Sequence, residues 1–270
     1  RMAEELPKLA DAGEPAELVN AEGQSPIVLV CEHASKYIPK TLGSLGLADR
    51  DLTSHIAWDP GAEPVARRLS KTLDATLLLQ RYSRLVYDCN RPPDAASAIP
   101  AVSELTSIPG NEDLSDADRQ TRIDEIYEPF LATVFEVLES KRQRGIRPVL
   151  VTVHSFTPTY KGIERPFELG VLHDQDSRLA DAVLAAAGGE TDYECRRNEP
   201  YGPEDGVLHT INLHSQRDGL LNVMLEIRND VIANVESQKL WAERLGALIE
   251  EALDCVLAKM EHNVAAGSYV

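Results

Sequence analysis

Val28-Leu-Val-Cys-Glu-His-Ala-Ser35 is an apolar run that stops abruptly at Glu32 and His33 and passes into a small-residue turn. It reads as a buried strand that delivers two metal-capable side chains at its C-terminal end. Pro148-Val-Leu-Val-Thr-Val-His-Ser155 repeats the device and places His154 at its end. Leu221-Asn-Val-Met-Leu-Glu-Ile-Arg228 carries Glu226 and Arg228. Open α/β sheets hold their ligands at the carboxyl ends of strands. Three such ends, bearing Glu and His, His, and Glu, predict one site assembled from distant sequence. That is the layout of a metal-assisted hydrolase.

Around these strands the chain alternates between strand-like and helical patterns. Val65, Ala66, Leu69 and Leu73 recur at helical spacing after Pro60. Ala75-Thr-Leu-Leu-Leu79 is β-like, and a further apolar stretch runs up to Asp88-Cys-Asn-Arg91. Residues 92–113 are proline-rich without a period, as expected of a long functional loop. Ser115 caps a long helix predicted to run to about Arg144. A strand at Glu168–Leu172, a helix over 176–187 and a last helix over 234–259 complete the pattern. It predicts a single α/β domain, with a mainly parallel mixed sheet flanked by helices, over residues 25–262. Residues 1–24 are polar and read as an irregular arm.

Composition narrows the functional classes. The 270 residues carry a formal net charge of -17, and hydrophobic residues make up 43%, ample for a core. So acidic a surface repels a phosphate backbone, which argues against a nucleic-acid partner. No run of about 18 apolar residues exists, so no membrane span is expected. Arg1-Met-Ala-Glu-Glu-Leu-Pro lacks the basic-then-apolar order of a signal peptide. Cys31, Cys89, Cys195 and Cys255 form neither a CxxC pair nor a zinc spacing. They read as reduced thiols in a cytoplasmic protein. Cys31 sits beside Glu32 and His33, but a small buried thiol is the simpler account of it.

A catalytic zinc takes three protein ligands and leaves one position open for water. His33 and His154 supply two. The third is Asp59 or Glu32. Neighbouring side chains on a strand point to opposite faces, so Glu32 and His33 share an ion only if the backbone turns between them. Asp59 precedes Pro60 at a helix start, where an aspartate also serves as an N-cap; the ligand role is placed ahead of the cap. His55 is a weaker fourth option. Arg81, Arg84 and Arg91 cluster near one sheet edge. Arg91, Arg84 and Asn90 read as grips for a substrate carboxylate, with salt bridging to Asp88 as the alternative for the arginines. Glu226 lies in an apolar strand, where a carboxylate is costly unless it is paired, metal-bound or protonated. It reads as a general base, with a pair to Arg228 or Arg91 as the alternative.

Cys-Glu-His-Ala-Ser35, His55-Ile-Ala-Trp-Asp-Pro-Gly-Ala62, Tyr82-Ser-Arg-Leu-Val-Tyr-Asp-Cys-Asn-Arg-Pro92, His154-Ser-Phe156, Asn198-Glu-Pro-Tyr201 and Glu226-Ile-Arg-Asn-Asp230 occur in this order. Together they resemble the N-formylglutamate amidohydrolase family, over about residues 25–253. The resemblance implies a zinc-exopeptidase-like fold, related to zinc carboxypeptidases and to the aspartoacylase/succinylglutamate desuccinylase group. It implies a divalent metal, zinc by preference, and places Asn90-Arg91, His154 and Glu226 where those relatives hold a substrate carboxylate, a zinc ligand and the catalytic carboxylate. Their His-x-x-Glu motif reads here as His33-Ala-Ser-Lys36, which leaves Asp59 or Glu32 to supply the carboxylate ligand. The implied reaction is hydrolysis of N-formyl-L-glutamate to formate and L-glutamate, a step of histidine degradation, on a small carboxylate substrate. The rivals are deacylation of another N-acyl amino acid and a metal-free binding protein on the same fold.

Overall fold

The computed structural model describes residues 8–215 and 219–265. Seven strands form one mixed sheet: β1 (Ala16–Val19), β2 (Ile27–Cys31), β3 (Thr76–Gln80), β4 (Val149–Phe156), β5 (Leu169–Leu172), β6 (Cys195–Arg197) and β7 (Asn222–Arg228). Their spatial order is β1-β3-β2-β4-β7-β5-β6. The central strands β3, β2, β4 and β7 run parallel, whereas β1 pairs antiparallel with β3, and β5 antiparallel with β7. The predicted single α/β domain with a mainly parallel sheet is therefore what the chain forms.

Alternation along these strands decides what lies on each face. Leu29 and Cys31 of β2, Val151 and Val153 of β4, and Val223, Leu225 and Ile227 of β7 pack against three helices: α1 (Ala62–Leu73), α3 (Arg178–Ala187) and α5 (Val235–Ala265). Val28 and Val30, Leu150, and Met224 point the other way, onto α2 (Glu128–Gln143) and α4 (His209–Ser215). The result is a three-layer sandwich in which the central strands are buried on both sides. That is why they read as continuous apolar runs rather than as alternating ones.

Two elements differ from expectation. The segment read as an irregular arm contains β1, whose Ala16-Glu-Leu-Val19 pairs with Leu77–Gln80. The apolar stretch that runs up to Asp88 is irregular, with a turn over 84–86, and Asn90 and Arg91 continue that backbone. The long helix after Ser115 is interrupted: a helical piece, Asp116–Arg122, passes through a wide π-type turn at Ile123–Tyr127 before α2 begins. The other expected elements lie within a few residues of their predicted ends, apart from α5, which runs further, to Ala265. Residues 1–7 of the expected arm lie outside the described residues.

Candidate active site

The period of two carries straight into the site. Val28, Val30 and Glu32 share one face of the sheet; so do Leu150, Thr152 and His154, and so do Met224 and Glu226. Glu226 stands directly across from His154 in the β4–β7 register, and Val30 across from Thr152 on the other side. The three parallel strands thus end with Glu32, His154 and Glu226 side by side. Cys31 falls on the opposite face, within the apolar core against α1. Burial there, with the charges of Asp59 and Glu32 adding to it, pushes its thiol well above its ordinary range. A protonated, buried thiol is no nucleophile.

His33 reaches the same centre because β2 ends at Cys31 and the chain turns. Its carbonyl accepts from the Asp59 N–H at 2.9 Å, fastening that turn to the 55–61 segment. Gly61 then takes a left-handed φ of 81°, and a Cβ there would stand 2.6 Å from the Ile232 carbonyl oxygen. Only glycine fits between Asp59-Pro60 and α1 at that approach. Asp59 is not the cap of α1: Gly61 occupies that position.

Around the centre, His33 Nδ1, His154 Nδ1 and Asp59 Oδ2 form a triangle. Its edges are 3.1 Å between the two nitrogens, 2.9 Å from His154 to Asp59 and 3.3 Å from His33 to Asp59. Among the described residues these three form a group able to hold a metal ion, and all three are buried. Tetrahedral ligands about 2.0–2.1 Å from a zinc ion stand about 3.3 Å from one another. The triangle has that size. It also sets two imidazole nitrogens face to face, an arrangement a shared cation stabilises. The donor set therefore fits a divalent metal.

Each histidine is braced from behind. His33 Nε2 lies 2.7 Å from Asp88 Oδ1, which fixes the ring so that Nδ1 faces the centre. His154 Nε2 lies 3.0 Å from Glu32 Oε2. The angle there is too poor for a hydrogen bond, and neither Glu32 oxygen finds one, so the attraction is one of charge. Glu32 therefore stands behind the donor triangle, and of the two carboxylates left open by the sequence Asp59 is the one on it. Burial favours neutral forms throughout, yet His33 and His154 outweigh it at Asp59, and His33 with Arg84 and Arg91 outweighs it at Asp88. Both carboxyls are held far below their usual range. Burial likewise opposes charge on His154, but Glu32 and Asp59 hold its pKa well above the ordinary imidazole value.

Glu226 is the exception among these acids. It is 5% exposed, and its Oε2 has no hydrogen-bond partner. Burial pushes its carboxyl up to about 7; His154 pulls the other way and Asp59 adds to the rise. Arg228 does not pair with it. That guanidinium bonds Asp230, Glu168 and three carbonyls of 165–167. A carboxylate poised near neutrality beside a metal-sized donor set is what a general base requires. Gly170, its neighbour on β5, has no room for a side chain: a Cβ would come within 2.0 Å of the Glu199 carbonyl oxygen.

The remaining expected residues separate. Arg84 donates to Asp88 Oδ2 at 2.9 Å and to Asp59 Oδ1 at 3.4 Å, so it balances the carboxylates of the centre while its side chain lines the cavity. Asn90 also lines the cavity, but both ends of its amide are engaged: Nδ2 donates to the Val207 carbonyl at 2.5 Å, and Oδ1 accepts from the Thr210 N–H at 3.0 Å. It positions the start of α4. Arg91 donates to the Asn90 carbonyl at 2.8 Å and makes no ion pair among the described residues. His55 is apart from the triangle and bonds Glu104 at 2.6 Å at the cavity mouth. The cavity these groups line measures about 170 Å³. That is below the roughly 300–1,000 Å³ of drug-sized pockets and suits a small metabolite. Asp88, bracing His33, was legible in sequence only as a partner for arginine.

A family model for N-formylglutamate amidohydrolase matches residues 25–233. The chain belongs to the N-formylglutamate amidohydrolase family. It is thereby a member of a family of hydrolases that act on an amide bond. Among solved structures, it is similar to the gene product Atu2144 from Agrobacterium tumefaciens, with 53% identity, a TM-score of 0.89 and coverage of 90% of this chain and 96% of that one. It shares its fold with an N-formylglutamate amidohydrolase from Ralstonia eutropha JMP134, at 21% identity and a TM-score of 0.64, over 88% of this chain and 97% of that one. No curated protein matches it by sequence. No helix among the described residues is long and apolar enough to cross a membrane.

Proposed function

We propose that this protein is a metal-dependent amidohydrolase that converts N-formyl-L-glutamate to formate and L-glutamate in the cytoplasm. The observation that carries the proposal is the donor triangle of His33, Asp59 and His154, with the unpaired carboxylate of Glu226 on the adjacent strand. His33, Asp59 and His154 would hold the ion, zinc by preference from the mix of nitrogen and carboxylate donors. When bound, it would polarise the formyl carbonyl and acidify a water. Glu226 takes the proton from the attacking water as the C–O bond forms. It then returns that proton to the amide nitrogen, so that the C–N bond breaks with an amine as the leaving group. Arg91, free of a carboxylate partner, takes a substrate carboxylate. Arg84, Asp88 and Glu32 keep the histidines oriented and the local charge balanced.

The experiment is direct. The purified protein is assayed for bound metal and for formate release from N-formyl-L-glutamate, beside N-acetyl and N-succinyl amino acids. Equimolar zinc and formate release that stops on chelation are expected. A protein that takes up no divalent metal, or that cleaves only other acyl groups, defeats the metal or the substrate assignment respectively.

A further inference from the structure

An N-formylglutamate molecule carries two carboxylates; Arg91 can hold one of them, and Arg84, which also lines the cavity, is already bonded to Asp59 and Asp88. A second cation packs against the side chains of the cavity wall. Phe156, Thr157, Tyr160 and Tyr201 line the cavity. The half-buried guanidinium of Arg165 lies over three of these side chains, with its central carbon 4.6 Å from the Tyr160 ring centre, 5.0 Å from that of Tyr201 and 5.8 Å from that of Phe156. Its guanidinium makes a long contact of 3.5 Å to the Thr157 carbonyl, while the Arg165 backbone bonds Pro158 through its N–H and Arg228 through its carbonyl. No carboxylate among the described residues lies within ion-pair distance of it. In a chain with a net charge of -17, an arginine without an acidic partner, packed on the aromatic side chains of a cavity, is unusual. Stacking on aromatic faces desolvates a guanidinium without neutralising it, and leaves its in-plane N–H fork for a planar anion.

We propose that Arg165, carried on the loop after β4, is a specificity-determining residue that takes the second carboxylate of the substrate, opposite the one held by Arg91. The assignment rests on the substrate class proposed above. It makes the aromatic wall a cradle that aims the cation. It also separates a dicarboxylic N-acyl amino acid from its neutral-tailed analogues, which Arg91 alone cannot do. Lys161 also lies over the Tyr160 ring, at 5.3 Å, but it is an exposed side chain on a turn and serves as the control.

The test compares glutarate with glutaramate, the same molecule with one carboxylate replaced by an amide. Binding of each to the zinc-loaded full chain is measured by calorimetry for wild type, Arg165→Met, Arg165→Lys and Lys161→Met, with circular dichroism confirming folding. Wild type is expected to prefer glutarate by about 10- to 100-fold, the worth of a charge-assisted bidentate contact. Arg165→Met loses that preference, Arg165→Lys retains part of it and Lys161→Met retains all of it. In turnover, Arg165→Met raises KM for N-formyl-L-glutamate by the same factor, with kcat little changed, and leaves N-formyl-L-glutamine unaffected. A wild type without the preference, an Arg165→Met variant that keeps it, or its loss in Lys161→Met overturns the proposal. If wild type hydrolyses neither formyl compound, the substrate assignment fails. The glutarate comparison still decides the role of Arg165.

Discussion

Arg122 and Asp59 are both charged, both almost fully buried, and both reach the segment between residues 82 and 91, yet their surroundings differ. Arg122 donates to the carbonyls of Val86 and Gly110 and to Asn111 Oδ1, the shortest at 2.7 Å. Asn111 in turn donates to the Leu85 and Pro100 carbonyls. Every acceptor there is neutral, and burial without a carboxylate partner lowers the Arg122 pKa to about 10. Around Asp59 the groups are charged, several acids crowd two histidines, and buried atoms of Glu32, His154 and Glu226 lack hydrogen bonds. One network holds the loop over residues 99–111 to the body of the protein. The other leaves buried polar atoms without hydrogen-bond partners beside a donor triangle that could hold a metal ion. Polar burial by itself does not separate structure from function; here what separates them is unmet hydrogen-bonding capacity gathered beside the donor triangle.

The largest effect expected from breaking this contrast is on the site side. Glu226→Gln keeps volume and packing but removes the base, so kcat falls by about 10²–10⁴-fold while zinc still binds. The melting temperature holds or rises, because a buried carboxylate without a partner is replaced by a neutral amide. Near-normal kcat with a lowered melting temperature would show that Glu226 is a packing residue. On the structural side, Arg122→Ala leaves three acceptors unmet and a cavity behind them, a loss of about 3–5 kcal/mol read by urea unfolding. Turnover per folded molecule should be nearly unchanged. If it collapses instead, the two networks are coupled through residues 82–91.

A smaller effect is expected at the carboxylate behind His33. Asp88→Asn preserves shape but weakens the hold on the imidazole. Zinc affinity should fall by about 10–100-fold, measured by competition with a chelator. Unchanged affinity would mean that Asp88 serves Arg84 alone.

The same contrast shows what the sequence carries. Strand ends are legible because an apolar run that halts at a charged residue has one physical meaning in a doubly covered sheet. His154 and Glu226 follow from it directly, and their shared face follows from the period of two. His33 is of the opposite parity and joins them only through the turn after Cys31, which depends on Asp59 and Gly61 packing beneath it. The protein partners that Arg84, Asn90 and Asp88 find in the fold were not legible, since an Arg or Asn near a site reads alike whether or not a buried neighbour also engages it. β1 was missed because four residues at a sheet edge carry too little periodicity to stand out from a polar arm. Arg165 lay in an irregular stretch, and its aromatic neighbours Phe156, Tyr160 and Tyr201 meet only in the fold.

The gentlest way to sharpen the comparison is to titrate it. In the metal-free protein Glu226 has its pKa raised to about 7 by burial, from about 4.3 in an unfolded chain. The folded state therefore binds more protons than the unfolded state between those values. Stability is fully present below about 4.3 and is lost as pH rises through 7, at no more than about 1.4 kcal/mol per pH unit for one group. Activity runs the other way, because only the ionised carboxylate accepts a proton. In the zinc-loaded enzyme kcat/KM should fall up to tenfold per pH unit on the acid side of the Glu226 pKa. The charge of the bound cation favours the carboxylate, so that limb should lie at or below pH 7. Urea unfolding at pH 5, 6, 7 and 8, with and without Glu226→Gln, isolates the contribution. If wild type and Glu226→Gln show the same pH dependence of stability, Glu226 is not the group burial holds near neutrality. Its selection as the base would then have to rest on kinetics alone.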